Sequence, residues 1–415
     1  MEYLPDYFQE ILLENLKDVD LAKLSSESKH YDNIQFSDFQ LDEMKDLLKL
    51  ENIPIMEKYN EIMKITDVIL AVKLNLKYYQ ITSFEIFSGH TFPNLKLLKL
   101  DSNKISSFEG LSREIFPNLE KFGLDSNNIS SFKGLSGEIF PNLKILVLSH
   151  NQISSVIGLS GKTFPNLEEL YLNNNQITSF EGLSGEIFPN LKILVLSHNQ
   201  ISSFEGLSGK TFPNLEGLGL DNNLISSFEG LSGKTFPNLE GLSLSRNQIE
   251  LFQGLSEKTF PNLKKLSLYL NQISSFQGLS GEIFPKLEML ILGSNEITSF
   301  EGLYGKTFLN LKELYLYLNQ ISSFQGLSGE IFPKLEILIL ERNEITSFEG
   351  LYGKTFLNLK ELDLRNNQIT SVEGLSEKIF PNLKVLGLKG NQITSLKLSE
   401  KIFPNFKKII ISSYQ

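Results

Sequence analysis

Residues 95–118 read LKLLKLDSNKISSFEGLSREIFPN, and the chain restates that pattern almost to its end. The frame is L-x-x-L-x-L-x-x-N-x-I-x-x-F-x-G-L-x-x-x-x-F-P-N. Its Asn returns every 24 residues without a slip, from Asn103, Asn127 and Asn151 through to Asn391. A fixed period in this range marks a solenoid, in which each turn is one coil that cannot bury its apolar face alone. Leu98 and Leu100 bracket Lys99, the period-2 alternation of a half-buried strand. Strands stacked at this register predict a parallel sheet with a spacing of about 4.8 Å. The sharp turn after each strand leaves backbone groups that no sheet can pair. An Asn side chain offers them both a donor and an acceptor. Two aromatic columns follow on the return path. One runs Phe84, Phe108, Phe132 and Phe180 to Phe348, with Val156 and Val372 standing in; the other runs Phe92, Phe116 and onward to Phe380 and Phe403. Their periodicity predicts a stacked core rather than an aromatic ligand slot.

The frame L-x-L-x-x-N at this period resembles the leucine-rich-repeat family, over about four fifths of the chain. The resemblance implies an α/β solenoid of about fifteen 24-residue turns, curved and right-handed, with a parallel concave sheet and a small helical N-terminal region. Residues 71–415 are the solenoid. It opens on a degenerate turn at Ala71–Asn94 with Tyr79 in place of the Asn, and closes on a shortened one bearing Ile409, Ile411 and Tyr414.

Composition narrows the function. Net charge is −10 over 415 residues, so there is no basic footprint for nucleic acid. No apolar run approaches the length of a membrane span. The N-terminus carries Glu2 and Asp6 and has no apolar secretory core. The chain has no Cys. That agrees with a reducing, intracellular and cytoplasmic setting, as does the lack of the Cys-rich flanks of extracellular family members.

Residues 1–31 are not repeat-like. Leu4, Phe8, Leu12, Leu13, Leu16, Leu21 and Leu24 are spaced as short amphipathic helices. Leu4-Pro5, Leu12-Leu13, Leu16, Asp20-Leu21, Leu24 and Lys29-x-Tyr31 resemble an F-box. Tyr7, Gln9 and Glu27 depart from its pattern. That resemblance implies docking of a Skp-type adaptor of a cullin-type ubiquitin ligase by Leu4, Pro5, Leu12, Leu13, Leu16, Leu21 and Leu24. The repeats would then select the substrate. The other reading is a helical cap on the solenoid. Residues 32–70 continue helically as linker and N-terminal cap, with Ser37 as a helix cap and Pro54 at a helix start.

No catalytic chemistry is legible, and no cofactor is implied. Without Cys there is no thiol nucleophile or Cys-type zinc site. His150 and His198 sit two strands apart, about 10 Å, too far to share a metal. Gly-Lys-Thr recurs at 161–163, 209–211, 233–235, 305–307 and 353–355. The earlier glycine of a phosphate-binding loop is missing, and so is its strand-to-helix setting. The reading is therefore a non-enzymatic protein-interaction protein.

The concave face is where a protein or peptide partner is expected. Tyr171, Tyr269, Ile291, Tyr315, Tyr317 and Ile339 fall on its exposed positions, rimmed by Glu341, Arg342, Asp363 and Arg365. Exposed Tyr and Ile beside charge resemble an interface core with a polar rim, and Tyr and Arg are common hot spots.

Overall fold

A computed structural model describes residues 71–159 and 163–393, with the backbone of one further strand, Lys408–Ile410. The helical readings of 1–31 and 32–70, including the F-box-like positions from Leu4 to Leu24, lie outside the described residues.

The chain divides into two compact units, one reaching Ile177 and including Gly185–Leu191, the other holding Thr178–Ser184 and residues from Lys192 on. Each is built the same way, one three-residue strand per turn. In the first, β1 (Lys73–Asn75), β2 (Leu97–Lys99), β3 (Lys121–Gly123), β4 (Ile145–Val147) and β5 (Glu169–Tyr171) pair in parallel in chain order. In the second, β6 (Ile193–Val195), β7 (Gly217–Gly219), β8 (Gly241–Ser243), β9 (Lys265–Ser267) and β10 (Met289–Ile291) are followed by five more. These are β11 (Glu313–Tyr315), β12 (Ile337–Ile339), β13 (Glu361–Asp363), β14 (Val385–Gly387) and β15 (Lys408–Ile410). Leu290 faces Leu266 on one side and Leu314 on the other, so the ladder keeps the 24-residue step of the sequence. The degenerate first turn is in register, Leu74 opposite Leu98, and the shortened last turn places Ile409 opposite Leu386.

The middle residue of each strand from β1 to β14 points inward. Leu98, Leu290 and Leu314 are buried while their strand neighbours are half-exposed. The aromatic columns pack as predicted. Phe108 stacks on Phe132 at 6.4 Å and Phe308 on Phe332 at 5.4 Å, all four buried. They fill the core and leave no slot.

The Asn column closes each turn and ties it to the one before. Asn127 Oδ1 accepts from the Ile105 amide at 3.0 Å, while its Nδ2 donates to Leu100 O at 2.9 Å and to its own turn's Leu124 O at 3.1 Å. Asn103 through Asn367 are buried; Asn391 is half-buried and makes the same bonds to Leu364 O and Leu388 O. The residue before each Asn turns the corner in the left-handed region. From Ser102 to Asn366 its φ lies between 52° and 57°, whether the residue is Ser, His, Asn, Arg or Leu. A left-handed L-residue costs roughly 1–2 kcal/mol. Three hydrogen bonds from the adjoining Asn hold it there.

The described Gly-Lys-Thr tripeptides lie on the return path. Gly209, Gly305 and Gly353 take positive φ as turn glycines, and Thr235 is buried, its Oγ1 accepting from the Ser232 amide at 3.1 Å. Gly161 and Lys162 fall outside the described residues.

Candidate functional site

A strand of three residues with an inward centre presents its first and third side chains to solvent, and the residue two further on extends the same face. In the second unit this builds three rows. The first holds Met289, Glu313, Ile337 and Glu361; the second Ile291, Tyr315, Ile339 and Asp363. The third continues each strand as Tyr269, Gly293, Tyr317, Glu341 and Arg365. Tyr315 therefore lies between Ile291 and Ile339 on directly paired strands. Tyr269, Ile291, Tyr315, Tyr317 and Ile339 form one half-exposed surface. Tyr171, on β5, belongs to the first unit.

Tyr269 and Tyr317 come from turns two apart, where strand spacing alone puts about 10 Å between backbones. Their ring centroids are 5.8 Å apart. Gly293, on the turn between, makes this possible. A Cβ there would sit 2.4 Å from Tyr317 Cζ and within 2.7 Å of two further ring carbons. Tyr317 lies across the bare backbone to reach Tyr269. Burial pushes its phenol pKa up, with a smaller contribution from Tyr269.

Tyr315 is held differently. Its Oη donates to Glu313 Oε2 at 2.8 Å, two residues back on the same face. Burial first, and this carboxylate second, push its pKa up to about 12. The same Glu-Leu-Tyr tripeptide makes the same bond in the first unit, Tyr171 Oη to Glu169 Oε2 at 2.8 Å, and burial again raises the phenol. Such tyrosines stay protonated, with ring faces fixed in place.

The expected charged rim needs a correction. Asp363 is buried at 7% exposure rather than presented to solvent. Arg365 lies against it, Nε at 2.9 and 2.8 Å from its two carboxylate oxygens, and Nη2 reaches Glu341 Oε2 at 3.0 Å. The room comes from Gly387 on the next strand, where a Cβ would stand 2.5 Å from Asp363 Oδ1. Asp363, Arg365 and Glu341 are thus an internal charge network. Arg342 is left as the exposed cation of the rim, its Nε only 3.9 Å from Glu341 Oε1.

On its other side the patch borders a strip of small residues: Gly217, Gly219, Gly241, Ser243 and Ser267. Its hydroxyls are engaged internally, Ser243 Oγ donating to Asp221 Oδ1 and Ser245 Oγ lying 2.9 Å from Ser267 Oγ. The second unit's face therefore runs from small residues, through an aromatic and aliphatic patch, to a paired charge cluster. The site residues that sequence reasoning missed are Met289, Ile337, Gly293 and Glu313. The 24-residue register could have found Met289 and Ile337. The roles of Gly293 and Glu313 depend on where neighbouring rings lie.

In the first unit a shallow depression of about 320 Å³ lies on the sheet face, lined by Lys77, Lys99, Asp101, Lys121, Gly123 and Val147 among others. Lys77 Nζ pairs with Asp101 at 2.8 Å. It encloses nothing in the manner of a small-molecule pocket. His150 and His198 each lie 3.3 Å, through Nε2, from the Nδ2 of Asn174 and of Asn222 respectively, not from a ladder Asn.

A family model described as Leucine Rich repeats (2 copies) matches residues 141–185, 189–233, 237–281 and 333–377. No curated protein matches the sequence. Among solved structures, an internalin (inlF) from Listeria monocytogenes is 20% identical with a TM-score of 0.56, covering 92% of this chain and 98% of that one. A leucine-rich-repeat protein from Leptospira interrogans is 24% identical with a TM-score of 0.57, covering 91% and 98%. YopM from Yersinia enterocolitica is 21% identical with a TM-score of 0.58, covering 91% and 78%. At these identities the likeness is one of fold.

Proposed function

We propose that this chain, a leucine-rich-repeat protein, is a non-enzymatic binding protein whose partner is a protein or peptide laid on the sheet face from Tyr269 to Arg342. One observation carries the reading: Tyr269, Met289, Ile291, Tyr315, Tyr317, Ile337 and Ile339 form a single apolar surface on consecutive strands, with ring orientations already fixed. An ordered surface loses little rotamer entropy on binding, which favours a polypeptide over a small ligand that would need enclosure. Arg342 supplies orientation and charge selection more than affinity.

The test is quantitative capture from a cell lysate by wild type and by Tyr315→Ala/Tyr317→Ala. Neither ring fills the core, so the variant keeps its fold and loses roughly 2–4 kcal/mol of partner affinity. Lys99→Ala, in the other unit, is the control. Equal capture by wild type and the tyrosine variant, with a loss at Lys99, refutes the placement.

The F-box reading of residues 1–31 rests on its spacing alone, and no comparison adds support to it. Under that reading a Skp-type adaptor co-purifies with the chain and is lost in Leu4→Ala/Pro5→Ala; under the cap reading none does. An intracellular location is proposed from the absence of Cys, and imaging of a tagged chain checks it.

A further inference from the structure

The first exposed row of the second unit carries an arrangement of charge that the fold does not use. In register from β9 to β15 it reads Lys265, Met289, Glu313, Ile337, Glu361, Val385 and Lys408, charged and apolar positions alternating strand by strand. The two cations stand at the ends and the two carboxylates in the middle. Ile337, half-exposed, lies between Glu313 and Glu361 on directly paired strands. The first unit sets an isoleucine at the same register between opposite charges, Ile145 with Lys121 on one side and Glu169 on the other. Around Ile337 the charges are alike, and a cation is missing.

The cations around it do not fill the gap. Lys360, next to Glu361 in the chain, is held by Glu336 at 2.6 Å, and Lys312, next to Glu313, by Glu288 at 2.8 Å. Arg365 is committed to Asp363 and Glu341. Lys265 and Lys408 each stand two strands outside the nearer Glu. That is about 10 Å of backbone spacing, roughly a Debye length in ordinary buffer. Glu361 therefore has no ion pair among the described residues. Glu313 accepts from Tyr315 Oη through Oε2, which leaves Oε1 open and holds the phenol back toward the first row. The charge of Glu361 reaches the same phenol, a smaller contribution to its raised pKa after burial and Glu313.

We propose that the partner polypeptide sets an arginine side chain over Ile337, between the carboxylates of Glu313 and Glu361 and against the ring of Tyr315. This rests on the placement of the partner on the Tyr269–Arg342 face, and it specifies what that partner carries there. Three interactions meet at one point. The arginine stem covers Ile337 while its head stays at the polar edge. The guanidinium is planar with donors on several sides, so it gives hydrogen bonds to a carboxylate on either hand. One strand spacing, about 4.8 Å, separates Ile337 from each Glu backbone, which puts both within reach. The flat face of the guanidinium stacks on an aromatic ring, a contact the compact ammonium of lysine does not match. Met289, Ile291 and Ile339 adjoin the point, so the segment is apolar on either side of its arginine. The same two carboxylates repel an acidic segment and so discriminate against it.

The experiment is selection of a phage-displayed library of random dodecapeptides on the immobilised full chain, followed by fluorescence polarisation with the best synthetic peptide. Wild type is expected to enrich peptides in which an arginine is flanked by apolar residues. Glu313→Gln/Glu361→Gln removes both charges but keeps an acceptor for Tyr315, so it should still enrich apolar sequences while losing the arginine. Replacing that arginine by citrulline, its neutral isostere, should weaken binding to wild type by roughly 10-fold or more and leave binding to the glutamine variant unchanged. Apolar or acidic peptides without arginine, selected by wild type and lost on Tyr315→Ala/Tyr317→Ala, overturn this inference and leave the placement of the partner standing. Arginine peptides that the glutamine variant binds as tightly as wild type overturn it as well. Failure of wild type to select any peptide, or peptides that bind the tyrosine variant unchanged, overturns the placement itself and the arginine with it.

Discussion

Gly293→Ala isolates the site from the fold. The new methyl would sit 2.4–2.7 Å from three atoms of the Tyr317 ring. Carbon atoms rest at about 3.5–4 Å, so the ring must move by roughly 1 Å or leave its rotamer. The backbone has no objection, because Gly293 has no positive φ and the same register holds Glu341 one near-copy later. Losing the Tyr269–Tyr317 pair costs about 0.5–1.5 kcal/mol. Replacing Gly by Ala returns about 0.4–1 kcal/mol through the unfolded chain. Net stability should therefore change by no more than about 1 kcal/mol, while partner affinity falls by roughly 2 kcal/mol, the threshold of a hot spot. Urea unfolding reads the first quantity and quantitative capture the second. Tyrosine fluorescence, unobscured because the chain has no Trp, reports the displaced ring. Loss of more than about 3 kcal/mol of stability, or unchanged capture with a displaced ring, would refute the argument that Gly293 serves the aromatic patch.

Three further predictions test the frame and its electrostatics. Asn271→Ala leaves the Ile249 amide without its acceptor, while the Leu244 and Leu268 carbonyls keep Asn247 and Asn295 as donors; urea unfolding should register a loss of about 1–3 kcal/mol, that of a single orphan. Asn271→Asp keeps the shape but aims a carboxylate at two carbonyl oxygens. Its folded pKa then rises above the ~3.9 of unfolded Asp, and stability present below that value is lost as pH rises through the folded one; a pH-independent variant would contradict this. Phe236, 2% exposed and 5.7 Å from Phe212, should cost about 3–5 kcal/mol on truncation to Ala, and a loss under about 1 kcal/mol would show the column to be loosely packed. The phenol of Tyr315, raised to about 12 by burial and then by Glu313, contributes stability present below the unfolded value near 10 and lost as pH climbs between the two. A spectrophotometric titration should show a phenolate appearing near pH 12 that is missing in Tyr315→Phe.

Residue spacing alone was enough to read the frame. Period, strand alternation, the buried Asn column and the Phe columns were all legible because a solenoid turn touches only its neighbours, so spacing along the chain becomes register in space. The same logic placed Tyr269, Ile291, Tyr315, Tyr317 and Ile339 on one face. Tertiary structure alone decided what those side chains do there. Asp363 occupies an exposed register yet is buried, because Gly387 on the next strand leaves a hollow that it and Arg365 fill. Tyr317 reaches Tyr269 across a turn because Gly293 offers nothing to stop it. A periodic pattern records where each Cα lies. The reach of a long side chain over a missing one is set by two residues 24 positions apart, and no count within a single turn contains that information.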